Sequence, residues 1–166
     1  MIFRRATISD ANAIWNILEQ AIERRKLERS NQWQDGYPNI DVVKSDIKKS
    51  VAYVLLEGSV IVGYTAILIN DEPEYEKLQG TWLSNGDYVV FHRVAISEDY
   101  LGRGYANQLM KQIEKFALAQ NIFSIKADTN FDNTAMLRIF KKFNYSYCGT
   151  VYLRNSPRRA YEKVLI

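Results

Sequence analysis

The sequence predicts a mixed α/β fold, a sheet with helices on both faces, and three observations carry that prediction. Residues 88–96, an apolar strand-like stretch, run through Gly102-Arg103-Gly104-Tyr105-Ala106 into an amphipathic helix. Residues 123–128 read as the next strand, so strand, helix and strand make a βαβ unit whose strands are expected parallel. Upstream, two stretches rich in β-branched and aromatic residues, 51–56 and 60–69, flank Glu57-Gly58-Ser59 as a hairpin.

The remaining elements follow in order. Phe3 to Thr7 is a first strand, and Ser9 or Asp10 caps a helix whose apolar stripe is Ile14, Leu18, Ala21 and Ile22. Gly36 and Pro38 make 31–39 a loop, and a second, shorter helix starts near Asp41, turns Val43 and Ile47 inward and ends near Ser50. Segment 70–87 is polar, with Pro73, Gly80 and Gly86, and so long a connection between strands points to function. Ala106, Leu109, Met110, Ile113, Phe116 and Ala117 mark one face of the long helix. Residues 133–143 form a further helix with Met136, Phe140 and Phe143 inward, and 145–154 and 160–165 close the chain as strands around Asn155-Ser156-Pro157.

Composition narrows the function classes. A chain of 166 residues suits one domain, 1–166. At 47% hydrophobic and 25% charged it is an ordinary globular composition, which excludes disorder. The longest apolar run, 60–69, is about half a bilayer span, and no apolar secretory core follows Met1. A cytoplasmic protein with no membrane partner is expected. Cys148 is the only cysteine, which rules out an internal disulfide and fits a reducing compartment. The net charge of +3 comes from 22 basic and 19 acidic residues that are mixed along the chain. Its two basic clusters, Arg24-Arg25-Lys26 and Arg158-Arg159, are expected to be solvated faces with some help for an anionic cofactor, and no nucleic-acid partner is expected.

The glycine loop is the chemical signal. Small residues at 102, 104 and 106 let backbone approach a ligand, and the following helix offers free amides and a positive dipole end to a diphosphate. Gly104-Tyr105-Ala106 lacks the lysine and hydroxyl of a P-loop. A dinucleotide loop wants a small residue where Asn107 stands and belongs after a first strand, although Asp128 sits where a ribose-binding acid would. Coenzyme A is the third reading. Leu101 to Ala106 follows the Gln/Arg-x-x-Gly-x-Gly/Ala signature without its leading residue, and Asn133-Thr134-Ala135-Met136 through Phe140 to Asn144-Tyr145 follows a second, downstream motif. With both motifs in register, the chain resembles the GNAT superfamily of acetyl-CoA-dependent N-acetyltransferases over essentially its whole length.

That resemblance implies a GNAT acyl-CoA N-acyltransferase fold, a central mixed sheet of about seven strands with four helices on both faces. It implies acetyl-CoA as co-substrate, no metal, and a primary amine of a small molecule or peptide as acceptor, attacking directly in a ternary complex; homodimers are frequent in the superfamily. Leu101, Gly102, Arg103, Gly104, Tyr105, Ala106 and Asn107 would hold the diphosphate. Val94, Ala95 and Ile96 would pair with pantetheine, the Val94 amide polarising the thioester carbonyl. Asn133 matches the position that touches cofactor, and Phe140 is a core residue that would also pack against the pantetheine arm.

An alkylammonium of pKa ~10 must give up its proton at a cost of roughly 4 kcal/mol at neutral pH, whereas protonating a thiolate of pKa ~8.5 gains about 2 kcal/mol. The base therefore matters more than the acid. Val90 stands where a carboxylate base is often found, and His92, two residues on, shares its strand face and is the only histidine, so His92 is the candidate base. Phe140 stands where a tyrosine often serves as acid, leaving Tyr105, Tyr145 or Tyr147 as donors, or an unassisted thiolate. Trp33 and Tyr37 are the acceptor-binding candidates, with Trp82, Asp71, Glu72, Glu74 and Glu76 suited to a cationic amine. Cys148 reads as core rather than nucleophile. The alternative is a non-catalytic acyl-CoA sensor, motivated by Val90 and Phe140.

Overall fold

A computed structural model describes residues 1–166. In chain order the elements are β1 (Ile2–Arg5), α1 (Ala11–Leu27), α2 (Ile40–Lys48), β2 (Ala52–Glu57), β3 (Val60–Ile69), β4 (Gln79–Gly80), β5 (Val89–Ile96), α3 (Tyr105–Ala119), β6 (Ser124–Thr129), α4 (Thr134–Lys142), β7 (Ser146–Leu153) and β8 (Ser156–Val164). Short 3-10 turns cover Ile8–Asp10, Pro73–Lys77 and Glu98–Tyr100. Four helices and a mixed α/β architecture match the sequence reading; eight strands replace about seven. The additional strand is β4, inside the polar 70–87 segment read from sequence as a connection with a functional role.

The chain divides into two compact units. The first holds Met1–Ile67 and Arg93–Gln112. Its strands run in the order β1-β2-β3-β5, with β1, β2 and β3 antiparallel neighbours and the Ser97 amide closing onto the Val62 carbonyl at 2.8 Å. Residues 52–56 are buried throughout, because successive side chains point to opposite faces and both faces are covered. On one face Ile14, Ile17 and Leu18 of α1 and Val43 of α2 pack against Val54, Leu56 and Tyr64. On the other, Leu55, Val62 and Ile96 pack against Leu109 of α3.

The first helix does not start as its cap residue suggests. Asp10 occupies the N-cap position of α1, but its carboxylate turns back and accepts the Thr7 amide at 2.7 Å. Arg4 grips the same carboxylate from β1 with two hydrogen bonds, at 2.8 and 3.1 Å. Asp10 therefore ties strand, turn and helix together.

The second unit holds Leu68–His92 and Ile113–Ile166. Its strand order is β5-β6-β8-β7-β4, and β5 runs parallel to β6 with Val89 opposite Ile125 and Val90 opposite Lys126, which is the expected βαβ pairing. The β7–β8 hairpin turns at Arg154 and Asn155, with φ of 50° and 60°, the doubly left-handed conformation that matches strand twist. β8 accordingly starts at Ser156, four residues earlier than the sequence suggests. Gly80 on β4 and Gly149 on β7 face each other so closely that a Cβ on either would lie 2.0 or 2.2 Å from a backbone oxygen. Only glycine permits this pairing. The core here is aromatic: Phe140 stacks on Tyr161 at 4.5 Å and meets Tyr145 and Phe91 at 5.3 and 6.4 Å.

The Arg4 hydrogen bond, outweighing the cost of burial, holds the Asp10 carboxyl below the usual carboxylate range. A carboxyl depressed on folding stabilises at pH values above its unfolded value near 4, and that stability is lost as pH falls through the lower folded value. Asp10→Asn should cost about 1 kcal/mol at pH 7 in urea unfolding, with the difference from the parent shrinking steadily below about pH 4. A cost independent of pH would show that the charge is not involved.

Candidate active site

β5 carries His92, the candidate base, and its backbone is irregular at Arg93. This residue has φ of 57° inside a strand, a left-handed conformation that costs a non-glycine residue about 1–2 kcal/mol. The side chain holds it there. Its guanidinium donates to both Asp46 oxygens on α2, at 2.9 and 2.7 Å, and to the Tyr37 hydroxyl, while the Tyr64 hydroxyl also donates to Asp46. Burial works against the Arg93 charge, but Tyr37, Asp46 and Tyr64 outweigh it and raise its pKa. Tyr37, an acceptor-binding candidate, is thus held by Arg93, and Trp33 packs against the α1–α2 core.

Sequence reasoning missed Asp46 and Arg93. The signal was there, an acid three residues from Val43 on the buried side of α2 and an arginine in the middle of an apolar strand.

The glycine loop lies in the same unit. After the 3-10 turn, Leu101 to Gly104 are exposed and Gly102 and Gly104 have φ of 73° and 83°. A Cβ on either would meet nothing within 4 Å, so glycine serves the backbone conformation and the space above stays open. Helix α3 begins at Tyr105, and the Gln108 amide bonds the Gly104 carbonyl at 3.1 Å. The amides of Tyr105, Ala106 and Asn107 come before that first turn closes, and helix geometry gives them no partner four residues back. An open left-handed loop leading to such amides can hold a phosphate. Arg103 stands beside it, 5.3 Å over the Tyr100 ring. Val94 is half-buried, while Ala95 and Ile96 are buried.

The basic clusters are not simply solvated. Arg24 reaches in to donate to the Ile96 carbonyl at 3.3 Å, Arg158 is buried, and Arg159 lies 4.6 Å over the Tyr147 ring. In each case a long stem and a planar head pack where an ammonium would stay in water.

His92 stands in the second unit between two carboxylates. Its Nε2 lies 2.9 Å from Glu72 Oε2, and its Nδ1 lies 3.9 Å from Asp128 Oδ2. The Glu72 contact is one of distance and charge and not of hydrogen-bond geometry, so it places a carboxylate beside the ring without fixing which nitrogen carries the proton. Asp128 also accepts from the Tyr75 hydroxyl at 2.6 Å, and Tyr75 receives the Trp82 indole N–H on its carbonyl at 3.0 Å. Burial first, then Asp128, pushes the Tyr75 hydroxyl well above its usual pKa, so it remains a donor. An imidazole so held can take a proton and have the new charge balanced at once. Of the four acids named from sequence, Glu72 alone is brought to the histidine. Glu162 on β8, fully buried, clamps the same connecting segment by accepting from the Leu83 amide at 2.6 Å, from Ser124 at 2.7 Å and from Ser84.

Phe140 has no exposed surface and is enclosed by Phe91, Tyr145 and Tyr161, which places it in the core as expected. Asn133 spends its side-chain oxygen capping α4, accepting the Met136 amide at 3.1 Å. Cys148 is buried, with a thiol pushed up by burial and by Glu162, which suits a core residue. Among the tyrosines considered as proton donors, Tyr145 is buried with its hydroxyl pKa raised by that burial, whereas Tyr147 is exposed.

Comparison with known proteins gives a consistent result. The sequence profile of the acetyltransferase (GNAT) family matches residues 14–145. The chain is similar to a GNAT-family acetyltransferase from Streptococcus agalactiae 2603, at 32% identity and a TM-score of 0.90, covering 98% of this chain and 94% of that one. It shares its fold with an N-acetyltransferase from Staphylococcus aureus Mu50, at 20% identity and a TM-score of 0.71 over 99% and 98% of the two chains. It also shares its fold with a ribosomal-protein-alanine N-acetyltransferase from Brucella melitensis, at 15% identity and a TM-score of 0.70 over 99% and 100%. No curated protein sequence matches it.

Removing Asp46 leaves Arg93 buried without its counter-charge. Asp46→Ala should cost about 3–5 kcal/mol in urea unfolding, and Asp46→Ala combined with Arg93→Met should recover part of that loss. A single-variant cost below about 1 kcal/mol would mean that the pair behaves like an exposed one.

Proposed function

Because the chain belongs to the acetyltransferase (GNAT) family and is an acyltransferase, we propose that residues 1–166 act as one N-acetyltransferase domain. It takes the acetyl group from acetyl-CoA and passes it to a primary amine of a small molecule or peptide. The observation that carries this reading is the open loop at Gly102 and Gly104 leading to the first amides of α3.

The loop residues Leu101 to Asn107 bind the diphosphate, with the amides at the start of α3 as donors and Arg103 as an added cation. Val94, Ala95 and Ile96 pair with the pantetheine arm through the backbone, as an added strand would. The acceptor enters as an ammonium and loses a proton to the His92 imidazole, directly or through one water. The amine nitrogen then bonds to the thioester carbon, and the electron pair moves to the carbonyl oxygen, toward the Val94 amide. Collapse of that oxyanion breaks the carbon–sulfur bond and releases the thiolate, and the second proton of the nitrogen passes to solvent. No acyl-enzyme forms. Glu72 lies close enough to offset the charge of the imidazole once protonated. Trp33 and Tyr37 remain the proposed acceptor contacts, Tyr37 oriented by Arg93.

No helix is long and apolar enough to cross a membrane, and the lone buried thiol of Cys148 suits a reducing compartment. A cytoplasmic site of action is part of this proposal.

Thiol release from acetyl-CoA, followed with a panel of polyamines, amino acids, aminoglycosides and peptides, tests the whole reading. His92→Ala should lower kcat by about 10²-fold or more with the KM for acetyl-CoA little changed. Gly104→Val, which forces a β-branched residue into a left-handed backbone, should act in the other direction, raising that KM about tenfold with a smaller effect on kcat. Unaltered kcat in His92→Ala removes the histidine from the mechanism, and absence of turnover on the entire panel removes acetyl transfer.

A further inference from the structure

Lys126 is the one ammonium that the chemistry above leaves unexplained. It lies on β6 opposite Val90 and is 94% buried, being only 6% exposed. Its Nζ sits 4.3 Å from the Trp82 ring centre and 4.2 Å from that of Tyr88, and it makes no hydrogen bond to the protein. The adjacent carboxylate, Glu162, is already committed, one oxygen to the Leu83 amide and the other to Ser84 and Ser124. With no acceptor in the protein, its three N–H donors are left to the open cavity beside the two rings, where only solvent or a ligand can satisfy them. Burial pulls the lysine pKa down, although Glu162 opposes this, which is the signature of a cation short of its counterpart.

Lys126 lines a cavity of about 390 Å³ together with Tyr75, Trp82 and Tyr88. The carboxylates of Glu76 and Asp87 stand at its exposed rim, Asp87 held by the Asn70 amide at 2.9 Å. One deep cation below rim carboxylates suits a zwitterion better than a dication or a dianion. The cavity is also next to the proposed base. Tyr75, on its wall, has its ring centre 6.4 Å from that of His92, and His92 stands two strand residues beyond the partner of Lys126, an offset of about 6.6 Å.

We propose that this cavity is the carboxylate subsite of the acetyl acceptor, with Lys126 as the residue that takes the carboxylate, so that the acceptor is a small amino-carboxylate whose two ends lie several bonds apart. The inference rests on the acetyl-transfer reading for the identity of the amine end. Aromatic faces beside the ammonium exclude water and hold the lysine extended. The incoming carboxylate supplies the acceptor that the protein itself lacks.

Three acceptors of one length separate the possibilities: 4-aminobutyrate, 4-aminobutanamide and 1,4-diaminobutane. The wild-type protein should favour 4-aminobutyrate over the amide by roughly 10–100-fold in kcat/KM, the worth of a charge-assisted hydrogen bond. Lys126→Met should collapse that ratio and Lys126→Arg should keep most of it, both checked for folding by thermal denaturation. Tryptophan fluorescence gives a second reading without acetyl-CoA: 4-aminobutyrate should perturb emission saturably in the wild type and not in Lys126→Met. If the amide or the diamine is the equal or better acceptor, or the ratio survives in Lys126→Met, the subsite is overturned while acetyl transfer stands. If no acceptor turns over but 4-aminobutyrate binds in a Lys126-dependent way, acetyl transfer fails and the subsite is upheld. If 4-aminobutyrate is neither turned over nor bound, the subsite is overturned.

Discussion

A left-handed backbone at Arg93, held by a two-point ion pair with Asp46, is the constraint on which the rest of the structure turns. A strand left to itself would not adopt it, because a side chain at positive φ crowds the carbonyl that follows. The compensation comes from outside the strand, from α2 and from the tyrosines at 37 and 64. The boundary between the two compact units falls at the same peptide, between His92 and Arg93. On its near side His92 is oriented by Glu72, and on its far side Val94 to Ile96 lead to the glycine loop. An irregular residue within a strand re-aims the side chains and amides around it, which is a common reason to find one beside a reactive group.

The same economy appears in the long segments that connect the regular elements. Each is anchored by a buried charge that loops rarely possess. Tyr37 is fixed through Arg93, and the segment around Leu83 and Ser84 is fixed through Glu162, whose oxygens are saturated by backbone and hydroxyl donors. Saturated networks of this kind rigidify what they touch, and an unsaturated member is correspondingly conspicuous. Lys126, opposite Glu162 on the neighbouring strand, has no protein acceptor of its own, and that is what makes it informative.

In the amine acetylation proposed for this chain, the base carries more of the energetic burden than the acid. Removing a proton from an ammonium is the larger task, about 4 kcal/mol against about 2 kcal/mol for helping a thiolate leave. The side chains are arranged accordingly. The imidazole receives carboxylates at both nitrogens, while Phe140, standing where an acid often is, has been given over to the aromatic core.

Most of the fold was legible in the sequence, because local patterns specify local structure. Apolar spacing located all four helices, β-branched stretches located the long strands, and the short glycine spacing marked the entry to α3. Two adjacent motifs in register sufficed to identify the family. What stayed hidden was whatever depends on partners distant in the chain. β4 exists only because Gly80 and Gly149, sixty-nine positions apart, allow two backbones to touch. Arg93 and Asp46 drew no notice in the sequence because only the fold removes water from both and brings them together, and the rings around Phe140 likewise come from distant strands. The sequence by itself determined which elements form and which cofactor chemistry they suit, since propensity and periodicity act over a few residues. Only tertiary structure decided which charges are buried, which are paired and which is left waiting for a ligand, because desolvation is a property of the neighbours a residue acquires and not of the residue.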